Sequence, residues 1–268
     1  MLLAISSLHL AQQRPEQKTH YMTLAIEHQT TALPAYRHAI KNLTSETDEQ
    51  ISRAMMSYAG LTAVYALLSP PISHSSDVKG TSSISQLAES FVLLRGASEI
   101  RGIVGDYKEA CTIPPPQTTA PYSDNNGSYY PEDSHLVAVE TMIWKAAAKN
   151  SEPEPVACAN LHALSLLRQC FALLYDPICS ISIKHAITFW IGAVPTAYLK
   201  AVKELQVGAL IVLAHWCVML NEGKTLWYLR DSGPRILAGI CEVLGDEWKV
   251  ELAWPLAHSN GETVYNGF

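Results

Sequence analysis

The sequence predicts an all-α fold: one helical domain over residues 1–268, with a central buried apolar helix and a hydrophobic pocket between helices. Three observations carry that expectation. Apolar residues recur at intervals of three and four, the period of a helical face, with little of the alternation that marks a half-buried strand. The run Val207 to Leu220 is apolar on every side, interrupted only by His215, and a helix without a polar face has to be covered all round. A chain of 268 residues with 48% hydrophobic and 16% charged side chains can bury a large core.

Taken in order, Met1 to Ala11 reads as a core helix. Its apolar run invites comparison with a signal peptide, but no basic residue precedes it and His9 interrupts it. Residues 17–42 are helical in pattern and contain Pro34, which predicts a kink or break near Ala32 and Leu33. Ile51, Met55, Tyr58, Thr62 and Tyr65 share one helical face, and Thr47 with Gln50 forms a capping box ahead of them. Ser83 with Gln86 repeats the device before Ile84, Leu87, Phe91 and Leu94, and Ser151 with Glu154 repeats it before Val156 to Leu174. Pro131 opens a helix and Pro177 follows the end of one at Tyr175.

Two segments, about 69–83 and 112–130, are loops by their proline, serine and Asp-Asn-Asn-Gly content. The second is a solvated connector or a lid over a pocket mouth, with Tyr122, Tyr129 and Tyr130 as its contacts. The fourteen residues of 207–220 make a helix of roughly 20 Å, short of the ~30 Å core of a bilayer, so no membrane span is expected there.

Composition and motifs exclude several function classes. A net charge of −6 without a Lys/Arg cluster argues against direct binding of nucleic acid, where affinity comes mainly from phosphate neutralisation. No glycine-rich phosphate loop, His-Glu-x-x-His helix or Gly-x-Ser-x-Gly elbow is present, which removes the local geometry for nucleotide binding, zinc hydrolysis and esterase chemistry. The six cysteines, Cys111, Cys158, Cys170, Cys179, Cys217 and Cys241, form no Cys-x-x-Cys pair, and several lie in apolar helical runs. They read as reduced thiols acting as small hydrophobes, with neither metal nor cofactor expected and a nuclear or cytoplasmic location.

What remains is a set of polar and aromatic residues within apolar helices. His215 has Ile211, Val212, Val218 and Met219 as helical neighbours; it is a core histidine satisfied by another helix, or a pocket residue donating to a ligand hydroxyl. Arg95 pairs with Glu99 one turn on at the surface, sits in a buried ion pair, or touches ligand. Arg101 and Asp106 suggest a solvated cluster, and His9 and His28 cap or bridge helices. Met55, Tyr58, Tyr65, Phe91, Trp190 and Trp216 are either plain core or, with His215, the lining of an apolar cavity. The expected place for that cavity is between the His215 helix and the Tyr58 helix.

Several blocks, in this order, resemble a known family. They are Ala4 to Ala11; Tyr21, His28-Gln29, Ala32-Leu33 and Tyr36-Arg37; Phe91 to Gly96; Ala209 to Trp216; then Trp227, Trp248 and Trp254-Pro255. Together they are similar to the C-terminal regulatory domain of fungal zinc-cluster transcription factors, in the sterol uptake control branch. That family's DNA-binding module, with its closely spaced cysteines, has no counterpart in this sequence, as in a fragment or a gene that kept only the sensing half. The resemblance implies a ligand-responsive transcriptional regulator, or a binding module derived from one. It would sense a sterol or another lipophilic terpenoid or polyketide, and would have a second copy or another protein as partner. The alternative is a cofactor-independent cyclase, isomerase or pericyclase of fungal secondary metabolism that reuses the apolar pocket through orientation and a single hydrogen bond. His215, His28, Arg95 and Tyr58 are the catalytic candidates for that reading.

Overall fold

The computed structural model describes residues 1–44, 48–68, 84–85, 87–92, 94–95, 133–176 and 181–259. Helices are the only regular elements among them, so the fold is all-α. Several sequence expectations lie outside the described residues: both loops, the Thr47 and Ser83/Gln86 caps, Pro131 and Pro177, and the partners suggested for Arg95 and Arg101. Where the sequence suggests one domain, the backbone divides into two compact units. One comprises Met1–Ile72 and Gln86–Ala110; the other comprises Ser73–Ser85 and Cys111–Phe268.

In the first unit, helix α1 (Leu2–Gln13) turns Ala4, Ser7, Leu8 and Ala11 inward. These positions recur at three and four, and they face α2 (Lys18–Lys41) and α3 (Glu49–Leu68). Pro15 ends α1 by opening a short 3-10 turn, Pro15–Gln17. The expected break at Pro34 does not occur: α2 runs unbroken from Lys18 to Lys41 with Pro34 inside it. Proline removes one N–H, the one that would reach the carbonyl of Thr30, and the helix keeps its remaining bonds on either side. Helix α3 is capped by Asp48, whose Oδ1 accepts the N–H groups of Gln50 at 2.8 Å and Ile51 at 3.4 Å. Met55 and Ala59 of α3 form a small buried cluster with Tyr36, Ala39, Leu43 and Met56 packed on it, and the Tyr36 and Tyr58 rings stack at 4.1 Å. Residues 87–92 are also helical, with Phe91 buried.

The second unit is built around one helix. Around α8 (Val207–Glu222) lie α4 (Asp133–Asn150), α5 (Glu154–Tyr175), α6 (Ile183–Ala193), α7 (Thr196–Lys203), α9 (Ser232–Leu244) and α10 (Ala253–Ser259). Every residue of α8 from Gly208 to Leu220 is buried, as an all-apolar helix requires. Side-chain hydrogen bonds link the surrounding helices to one another and to α8. The indole N–H of Trp190 donates to the carbonyl of Ala163 at 2.9 Å, the Tyr198 hydroxyl donates to Ala209 at 3.3 Å, and Asn221 donates to the carbonyl of His258 at 2.7 Å. Arg168 of α5 joins Asp133 of α4 at 2.9 Å, mostly out of solvent.

The start of α5 corrects the sequence reading. Ser151 is left-handed at φ 53° and the helix is preceded by Pro153, so the Ser151/Glu154 capping box does not form. Ser182 instead supplies a side-chain cap one helix later, accepting the N–H of His185 at 3.3 Å. At the far end, Gly245 closes α9 at φ 72° and ψ −175°, a backbone conformation essentially reserved for glycine. Among the described residues, Glu154–Tyr175 alone has the length and apolarity of a membrane span within one unbroken helix. Half of its most apolar window is buried, as in the core helix of a globular unit.

Candidate functional site

The cleft of interest belongs to the second unit and is assembled from three elements. Helix α4 contributes His135, Ala138 and Met142, spaced three and four apart and therefore on one face. Helix α8 contributes His215, and the start of α10 with the segment before it contributes Val250, Glu251, Ala253 and Trp254. The cleft has a volume of about 360 Å³ and is shallow, more open to solvent than enclosed. Its walls are mainly apolar, and that volume lies in the usual range for small-molecule sites.

Trp254 organises the polar part. Its ring lies nearly parallel to those of His135 (5.3 Å, 19°) and His215 (5.6 Å, 16°), while His258 one turn further along α10 tilts against it at 4.6 Å. Phe171 of α5 meets the same indole edge-on at 6.5 Å. Among the described residues these histidines and the nearby acids do not gather into a group able to hold a metal.

His215 is 1% exposed, and its Nδ1 lies 2.8 Å from the carbonyl oxygen of Ile211 one turn earlier. A carbonyl only accepts, so Nδ1 carries the proton and Nε2 is left as an acceptor in the neutral ring. Burial lowers the imidazole pKa to about 4; the Ile211 carbonyl opposes that shift and the charge of His135 adds to it. The ring is therefore neutral near pH 7. This reverses the polarity expected from the sequence, because the nitrogen left over receives a hydrogen bond rather than donating one. His135, more exposed, has its pKa lowered by partial burial and by the neighbouring His258.

Glu251 is the second polar group in the wall, with its side chain 8% exposed. One carboxylate oxygen, Oε1, binds the ammonium of Lys145, and the other, Oε2, is buried with no hydrogen-bond partner. Burial pushes its pKa up, but the bonds from Lys145 and from its own backbone N–H win, leaving the group below the ordinary carboxylate value and ionised. The position of Glu251 is set by the preceding turn, Asp246–Trp248. There, buried Trp248 carries the ammonium groups of Lys145 and Lys149 over its ring at 5.5 and 5.2 Å, and Lys149 pairs with Glu247 at 2.6 Å.

Of the candidate site residues read from the sequence, His215 alone lines this cleft, while Trp254 stands in that reading only as part of a resembling block. Trp216 and Trp190 stack on each other at 5.2 Å and 20°, and Trp190 meets Tyr198 edge-on at 5.6 Å, all three fully buried in the core around α8. Met55, Tyr58, Tyr65, Phe91, Arg95 and His28 belong to the other compact unit, where Met55 and Phe91 are buried and His28, Tyr58, Tyr65 and Arg95 are half-buried. The sequence reading did not select His135, Met142, Glu251 or His258. The stripe His135, Ala138, Met142 and the pair Trp254, His258 have helical spacing that was available to it, but nothing in sequence brings the two stripes to His215.

The thiols near α8 are inert. The described cysteines are all free, burial pushes Cys170 up to about 12, and Cys217 is raised further still. Compared with known proteins, the chain matches no family model, no curated protein and no solved structure.

Proposed function

We propose that this chain is a ligand-sensing module of a transcriptional regulator, and that it binds a lipophilic metabolite, sterol-like, terpenoid or polyketide, in the cleft beside His215. The observation carrying this reading is the combination of a mainly apolar cleft of ligand size with one buried, neutral imidazole whose Nδ1 is already engaged. An imidazole held at about 4 is almost wholly unprotonated near neutrality and is too weak a base for efficient proton abstraction, which supports recognition over catalysis. The regulatory part rests on the ordered sequence blocks that resemble the zinc-cluster family. Sensing in this sense requires the ligand to favour one conformation of the chain over another.

The test is incubation of the purified full chain with sterol, terpenoid and polyketide panels, followed by recovery of the bound compound. Mass, retention time and stereochemistry are read together because isomerisation leaves mass unaltered. Saturable retention of unchanged compound is expected, weakened in His215→Leu. Conversion to a product by the native chain, lost in that variant, would replace this reading with the enzyme; no retained compound would end it.

A further inference from the structure

Trp254 is the point at which α4, α8 and α10 meet through their rings. His135 of α4 and His215 of α8 lie nearly parallel to its indole, His258 of α10 tilts against it, and Phe171 of α5 meets it edge-on. The imidazoles differ in their freedom. Nδ1 of His215 is held by the Ile211 carbonyl within the core, and Nδ1 of His258 donates to the carbonyl of Trp254 at 3.0 Å. His135 is exposed, so it takes protons directly from solvent.

One imidazolium against an indole is attracted to the ring face, but further ones beside it repel the first. Partial burial, and after it the charge of His258, lowers the pKa of His135. For His215 burial dominates, the Ile211 carbonyl opposes it, and the charge of His135 adds to it. The acids on the surrounding elements carry cations of their own: Glu251 holds Lys145, and Asp133 and Glu140 of α4 hold Arg168 of α5. Positive charge gathered around Trp254 is therefore not met by a spare carboxylate from these groups. A group whose pKa is lowered by docking strengthens the docked state above its ordinary value, 6.5 here, and that contribution is lost as pH falls through the lowered one.

We propose that Trp254 is a pH-sensitive latch between α4 and α10: with His135 and His258 neutral the indole stays docked on α4, and when both are protonated it leaves His135 and opens that side of the cleft. The latch goes beyond the proposed ligand site and needs no ligand to operate.

The full chain is labelled with fluorotryptophan and followed by fluorine NMR from about pH 7.5 to about 5. Trp254 is assigned through Trp254→Phe, and its solvent contact is read from line broadening by a neutral, soluble paramagnetic agent. Broadening of the Trp254 signal is expected to rise about twofold or more over that range. Those of Trp190, Trp216 and Trp248, each at most 1% exposed, should hold steady. His135→Phe keeps a ring against the indole but takes no proton, and should flatten the response. His258→Gln removes the neighbouring charge and should raise the pH at which the His135 ring titrates. The latch is overturned by an unchanging Trp254 signal in the native chain, by buried indoles that broaden in step with it, by a response that survives in His135→Phe, or by a His135 midpoint that does not move in His258→Gln. None of these outcomes touches the cleft as a lipophile site, since no ligand is present. Comparison of Trp254 with the buried indoles of the native chain decides the matter whether or not the variants fold.

Discussion

Helices α2 and α8 make opposite use of their sequences. Helix α2 has 24 residues and fully buries only Ala25, whereas α8 has 16 and buries thirteen in succession. Helix α2 persists through Pro34 with side chains bonded locally, as when Thr23 donates to Thr19 and Thr31 to Glu27. Helix α8 has almost no polar side chain to offer, and what holds it is the packing of six neighbouring helices in its own unit. Length and helical pattern therefore say little about how much of the fold an element supports; burial around the whole circumference says much more.

That contrast is most sharply broken or upheld at Trp216. Trp216→Ala removes a fully buried indole stacked on Trp190 and should cost about 3–5 kcal/mol by chemical denaturation, with faster amide exchange along α8. A cost below about 1 kcal/mol would mean that the core around α8 can collapse and is not the tightly filled one described.

The next effect is a pH dependence placed in α8 by His215. Its folded pKa of about 4 lies below the ordinary 6.5, so between those values the unfolded chain binds a proton that the folded chain does not. Stability is full above 6.5, falls as pH drops towards 4, and loses no more from this group below that. The loss is on the order of 3 kcal/mol, at about 1.4 kcal/mol per pKa unit. Denaturation midpoints measured across that window should flatten in His215→Gln. Glu251 and Glu247, whose pKa values are lowered, act only as pH falls through and below the ordinary carboxylate range, so the two contributions separate on the pH axis.

A smaller effect is expected where α8 begins. Gly208 donates its N–H to Glu152 at 3.3 Å, and a Cβ there would meet Nδ2 of Asn160 at 2.8 Å and Oε2 of Glu152 at 3.1 Å. Gly208→Ala should cost about 1–3 kcal/mol. The cost should shrink in an Asn160→Ala background, because the clash is with an amide that is fully buried and has no hydrogen-bond partner. Additive costs in that double-mutant cycle would show that the clash is relieved elsewhere. At the weak end, Ile26→Ser on α2 should change stability by no more than about 0.5 kcal/mol, since that side chain is 54% exposed. A large loss there would show that the outer face of α2 is covered by something in solution.

The sequence was most informative where chemistry leaves one option. The all-apolar run with a lone histidine announces a buried helix and a polar atom needing a partner, and His215 is found at 1% exposure on the carbonyl of Ile211. Caps were less legible. Ser151 and Glu154 match the pattern of a capping box, yet the left-handed Ser151 and the following Pro153 fix where α5 starts, and Asp48, which the sequence reading did not select, bonds the first turn of α3. A short pattern fits several registers, and the backbone of the preceding turn chooses among them.

By itself the sequence determined the helical class and the burial of 208–220, because periodicity and hydropathy are properties of the chain read locally. Only the tertiary structure decided that His135, Met142, Glu251 and Trp254 meet His215, that Nε2 rather than Nδ1 is the nitrogen left over, and that Oε2 of Glu251 stands without a donor. Those facts depend on contacts between residues as far apart as Lys145 and Glu251, which no local pattern encodes: packing α4 and α10 against one buried helix sets which polar atoms are shielded from water, and therefore which ones still need a partner.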